Sequence, residues 1–105
     1  MTDLLLVFCT FPDIEKARQI GTILTESQLA ACVNLCPAVE SIYRWQGKIE
    51  TGTEVLAIFK TTEAAFSAFE VRLRELHPYE VPEIVALRPC QVSGPYAEWV
   101  RAEVL

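Results

Sequence analysis

Histidine occurs once in this chain, at position 77, and basic residues never cluster. Nine Lys and Arg stand singly against fourteen Asp and Glu, for a net charge of −5. A nucleic-acid partner held through a phosphate-neutralising patch is therefore not expected. No apolar run approaches the roughly 18 residues of a membrane helix, so no membrane partner is expected. The run Leu4-Leu5-Leu6-Val7-Phe8 is short and lacks a basic flank and a small-residue cleavage site, so no targeting segment is expected. The four cysteines, Cys9, Cys32, Cys36 and Cys90, form neither a CxxC pair nor a disulfide-module spacing. They are expected to be reduced thiols of a cytoplasmic protein, most of them acting as small buried hydrophobes. P-loop, GxGxxG and HExxH motifs are all missing, which removes the common nucleotide and zinc-hydrolase readings. No repeat, linker or low-complexity stretch divides the 105 residues, so residues 1–105 are expected to form a single domain.

What the chain does have is grease. Hydrophobic residues make up 51% and charged residues only 22%. A domain of this size buries roughly two-thirds of its unfolded surface. So apolar a composition implies surface to be covered by self-association.

Leu4 to Cys9 is a continuous apolar run of strand length, expected at the centre of a sheet. Thr10 is placed to cap a helix, with Pro12 and Asp13 in its first turn. Ile14, Ala17, Ile20, Gly21 and Leu24 recur at three- and four-residue steps and give that helix one apolar face, ending near Ser27-Gln28. Ala30–Cys36 predicts a second strand, which Pro37 confines to an edge or a bulge. Val39–Trp45, the Gln46-Gly47 turn and a return from Lys48 to Lys60, interrupted near Thr51-Gly52, predict a long hairpin. Some fifteen paired residues at about 3.3 Å each reach roughly 50 Å, so the hairpin must bend or project. A projecting hairpin has unpaired edges that invite another subunit.

Thr61 and Thr62 are placed to cap a second helix with a buried stripe of Phe66, Phe69, Leu73 and Leu76. Glu83–Leu87 predicts a last strand. Ser93-Gly94-Pro95 opens a terminal helix with Tyr96, Trp99, Val100 and Val104 facing inward. The order β-α-β-β-α-β plus a helix is the ferredoxin-like split βαβ plan of the α+β class, an antiparallel sheet with helices on one face.

Between the second helix and the last strand lies His77-Pro78-Tyr79-Glu80-Val81-Pro82-Glu83. Its two prolines stiffen a junction that presents an imidazole and carboxylates. Cys9 ends the first strand, and a subunit interface is one way to bring it to His77 and Glu83. Thiolate, imidazole and carboxylate together suit Zn²⁺ or copper better than Mg²⁺ or Ca²⁺. Against this stands the plain structural alternative, a buried Cys9 and a loop-capping His77. Cys9 and His77 show no third orienting residue for nucleophilic catalysis, and no enzyme is expected. At the hairpin tip, Ile42, Tyr43, Arg44, Trp45 and Lys48 have the composition of an interface hot spot or of a ligand platform.

Several segments together resemble the CutA family of divalent-cation-tolerance proteins. They are Phe8-Cys9-Thr10 with Pro12-Asp13, Leu29–Asn34, Ser41–Ile49, Lys60-Thr61-Thr62, His77–Ile84, and Tyr96 with Trp99. The resemblance implies a cytoplasmic homotrimer of ferredoxin-like subunits, an architecture shared with the PII signalling proteins. It implies a role in tolerance to copper and other divalent cations, with metal ligands falling on Cys9, His77 and Glu83. Metal binding is then expected to weaken as pH falls through about 6.5, where an unperturbed imidazole charges. Two other uses fit the same architecture: a PII-like sensor taking a small ligand at subunit clefts, and a stable trimeric scaffold for a protein partner.

Overall fold

A computed structural model describes residues 2–105. Strand β1 (Leu4–Phe11) leads to helix α1 (Ile14–Glu26). Strands β2 (Cys32–Trp45) and β3 (Lys48–Thr62) follow, then helix α2 (Glu63–Leu76), strand β4 (Val85–Leu87) and helix α3 (Gly94–Glu103). The sheet order is β2-β3-β1-β4, and every pairing is antiparallel. This is the ferredoxin-like α+β plan that the element order predicts. β1 is an interior strand, bonded to β3 along its whole length and to β4 from Leu6 to Phe8.

Strand alternation sorts the side chains onto two faces. Leu5, Val7, Cys9 and Phe11 of β1 join Val55, Ala57 and Phe59 of β3 on one of them. Ala17, Ile20 and Leu24 of α1 and Phe69 and Leu73 of α2 cover that face and complete the main core. Gly21 lies at the closest approach of α1 to β2; a Cβ there would meet Val33 Cγ1 at 3.0 Å. A smaller core at the end where β1 begins packs Leu4 against Ala31, Ala65, Ala97, Val100 and Val104. The other face carries Leu6, Phe8, Leu56 and Ile58, all half-buried, beside exposed Val85 and Leu87. α3 packs on this face only at its Leu4 and Cys32 end, where Tyr96 meets the Cys32 thiol, and the uncovered remainder keeps its half-buried and exposed apolar side chains.

The β2–β3 hairpin turns at Gln46 (φ 51°) and Gly47 (φ 80°), two left-handed residues as a tight hairpin requires. Pairing shifts register between Cys36 and Val39, so Pro37 sits in an irregularity of an edge strand. The hairpin stretches the chain to 44 × 26 × 23 Å. Its outer half is solvated: Ile42, Tyr43, Trp45 and Ile49 are all exposed.

Five sequence expectations are corrected. Of the four cysteines only Cys9 is buried; Cys32 and Cys36 are half-buried and Cys90 is exposed. Thr10 does not cap α1; it is still in β1, paired with Leu56, and Asp13 caps instead by accepting the Lys16 N–H at 2.8 Å. The hairpin is not interrupted at Thr51-Gly52, because Ser41 and Ile42 hold both residues in register. β4 spans only Val85–Leu87, since Glu83 follows Pro82 and finds no partner on β1. On α3 the inward residues are Ala97 and Val100, with Val104 just beyond. Tyr96 and Trp99 are exposed and lie against each other, ring centroids 5.7 Å apart. Small Ala97 allows the close approach to the sheet that the larger rings would prevent.

Removing the α1 cap is the first testable consequence. Asp13→Ala is expected to lower stability by about 1 kcal/mol, read as an earlier denaturant midpoint with an unchanged m-value.

Candidate functional site

α2 stops where Pro78 forbids a helical residue before it, and His77 adopts φ −71°, ψ 135°. Its own N–H still bonds Leu73 O at 2.9 Å, so the ring is held by both ends of the junction. The imidazole is buried and stacks on Phe11 at 4.8 Å. Nε2 lies 2.8 Å from the Thr10 carbonyl oxygen, and the Tyr79 N–H reaches Nδ1 at 3.0 Å. A carbonyl only accepts and an amide N–H only donates. The ring is therefore neutral, with its proton on Nε2.

Cys9 is fully buried, and its thiol donates weakly to the same Thr10 carbonyl at 3.7 Å. Burial, and after it the Glu83 and Glu54 carboxylates, push the thiol up to about 12. It is thus a protonated thiol at every physiological pH. The tyrosine between the prolines completes the network. Tyr79 donates its hydroxyl to Glu54 Oε2 at 2.7 Å, and burial followed by this bond raises its pKa.

A cavity of about 770 Å³ opens above these groups. Thr10 and Glu54 lie at its base, and Glu40, Ile42, Tyr43 and Trp45 line its hairpin wall. Pro78 to Val81 and Glu83 form the opposite wall. No Lys, Arg or His lines it.

Two of the three residues singled out from the sequence, Cys9 and His77, thus meet at one end of a single protomer. Cys9 and His77 share the Thr10 carbonyl, and Glu83 lies close enough to Cys9 to perturb it. A subunit interface is not required to bring Cys9 to His77. Glu83 is exposed and makes no hydrogen bond to either. Among the described residues no three His, Cys, Asp or Glu side chains converge as a metal-holding group. The residues not singled out from the sequence are Phe11, Thr10 and Glu54. Phe11 and Glu54 reach the site through the β1–β3 register, in which Phe11 faces Val55. Thr10 contributes its backbone, which no sequence motif marks.

Burial depresses the His77 pKa, more than the Thr10 and Glu54 contacts raise it. The unfolded chain therefore takes up a proton near pH 6.5 that the folded chain refuses until lower pH. Stability from this group is complete above about pH 6.5 and is lost as pH falls through the depressed folded value. Denaturant midpoints measured from pH 7.5 to 5 are expected to fall, and His77→Gln should flatten that decline. An identical decline in the variant would assign it to other groups.

Comparison with known proteins bears directly on this site. The sequence model of the family described as “CutA1 divalent ion tolerance protein” matches residues 5–103. The divalent-cation tolerance protein CutA of Thermus thermophilus is 47% identical over 96 residues, 91% of this chain and 93% of the relative. Human protein CutA is 46% identical over 94 residues, and there the match spans only 52% of the relative's length. The crystal structure of CutA from Xylella fastidiosa superposes with a TM-score of 0.95 at 40% identity, covering 98% of this chain and 99% of that one.

Proposed function

The chain belongs to the CutA1 divalent ion tolerance protein family, and from that premise we propose that it works as a homotrimer that takes up copper or zinc weakly. The ligands in this reading are Cys9, His77 and Glu83. The family is described by ion tolerance and not by a catalysed reaction. The proposed location is the cytoplasm, where free thiols persist.

The observation that carries the metal reading is the convergence of Cys9 and His77 on the Thr10 carbonyl beside Glu83. Thiolate, imidazole and carboxylate are a suitable donor set for these ions, and they lie at one end of the chain. The set is closed as it stands. Cys9 must lose its proton, and His77 must give up either the Thr10 or the Tyr79 bond. Uptake is therefore weak and releases protons. Trimer formation is supported by the uncovered apolar sheet face and by the projecting hairpin with its exposed Ile42, Tyr43, Trp45 and Ile49.

Zinc titrations test the site. Because Cys9 stays protonated up to about 12, affinity is expected to fall by roughly tenfold per pH unit between pH 8 and 6. It should fall faster below the depressed His77 pKa, so the bend lies lower than an unperturbed imidazole would place it. Cys9→Ser and His77→Ala should each abolish binding. Parent-like affinity in both variants would move the ion elsewhere and favour the PII-like reading, with a small ligand in the 770 Å³ cavity.

A further inference from the structure

Residues 78–83 cross from the end of α2 to Ile84, which packs against the main core. They belong to no strand or helix and hold no ion pair among the described residues. Among those residues their hydrogen bonds to the rest of the chain number two, and Tyr79 makes both. Its N–H donates to His77 Nδ1 at 3.0 Å, and its hydroxyl donates to Glu54 Oε2 at 2.7 Å. Its ring lies 4.8 Å from the His77 ring. Pro78, Glu80, Val81 and Glu83 are exposed. Pro78 and Pro82 fix their own φ, so the span between them is stiff. The segment is a strap fastened at one residue, and it forms one wall of the cavity.

His77 decides what the fastening does. Its Nδ1 accepts from Tyr79, and its Nε2–H donates to the Thr10 carbonyl. An ion bound to a neutral imidazole shares the lone pair of one nitrogen, and the other nitrogen keeps the ring proton. Binding through Nδ1 takes the lone pair that the Tyr79 N–H now holds. Binding through Nε2 moves the proton to Nδ1, where it faces the Tyr79 N–H, donor against donor. By either nitrogen, Tyr79 must leave. The Nδ1 route keeps Nε2–H on the Thr10 carbonyl, the kind of second bond that fixes a metal-bound histidine. We infer that Tyr79 is the latch on this site: a positioning residue, not a ligand, that sets how tightly the site takes up an ion and that lifts the strap when it lets go. The inference rests on the metal reading above and goes further by naming the residue that keeps the donor set closed.

Tyr79→Phe tests this, because it keeps the ring and the N–H and removes only the hydroxyl bond. His77 is the only histidine, so its ring resonances read zinc at this site and no other. In zinc titrations followed by those resonances, the variant is expected to bind about tenfold tighter than the parent, since opening no longer breaks a hydrogen bond to a carboxylate. Tyr79→Phe/Glu54→Gln should bind within about threefold of Tyr79→Phe, as it loses only a neighbouring charge. A return to the parent's affinity in that double variant would mean that the freed Glu54 carboxylate had become a ligand, and would overturn the latch. A second readout needs no metal. Amide hydrogen exchange at position 79 should quicken about tenfold in Tyr79→Phe, as the strap opens more often. The His77 N–H, bonded to Leu73 O, should exchange as in the parent. Parent-like zinc affinity, or parent-like exchange at position 79, would overturn the inference. If the parent takes up no zinc at His77, the metal reading beneath it falls, and the exchange rate alone decides whether Tyr79 fastens the strap.

Discussion

Ile58→Asp is expected to abolish the proposed trimer while leaving the protomer folded. Ile58 lies on the uncovered face of the sheet, in register with Phe8 on one side and Asn34 on the other. Its neighbours Ala57 and Phe59 point into the core under the helices, so they are unaffected. In an isolated protomer the carboxylate simply faces water. In an assembly that covers this face it must be desolvated once per subunit, at a cost of several kcal/mol each. Sedimentation should show monomer at micromolar concentration with parent-like far-ultraviolet dichroism. A variant that still forms trimers would place the subunit contacts elsewhere.

Phe11→Ala should have the largest effect on stability. Phe11 is fully exposed to nothing but protein: it closes the end of the main core and carries the His77 ring on its face at 4.8 Å. Truncating a buried Phe to Ala costs about 3–5 kcal/mol, against a total of roughly 5–15 kcal/mol for a domain. The loss should appear as an earlier denaturant midpoint, compared at matched protomer concentration because assembly adds stability by mass action. The variant should also release the imidazole, so its histidine resonance should titrate closer to pH 6.5. A loss under about 1 kcal/mol would mean that the site is not braced by the core.

How much of this was legible in the sequence depends on the kind of signal. The apolar run of β1, the three- and four-residue periodicity of α1 and α2, and the Gln46-Gly47 turn follow from local rules, and all appear where those rules put them. The prolines bounded α2 and held His77 extended for the same reason. The misplacements come from tertiary competition. Thr10 has the chemistry of a helix cap, but sheet pairing to Leu56 claims its backbone first. Tyr96 and Trp99 have the hydrophobicity of a core, yet close packing of α3 selects Ala97. At the site, His77, Cys9 and Glu83 stand out by residue type. The meeting of Cys9 and His77 at the Thr10 carbonyl depends on a backbone atom and on strand register, which residue types do not encode. The cavity is likewise a product of hairpin length and turn position, visible only once both are folded.

The central claim is that this protomer, with its bare sheet face and projecting hairpin, is a third of the functional particle. Sedimentation equilibrium of the unmodified protein over nanomolar to micromolar concentrations tests it most directly. The expected result is one species of about 35 kDa, three times the 11.8 kDa chain, with no monomer at micromolar concentration. A single species at 11.8 kDa across that range would contradict the account.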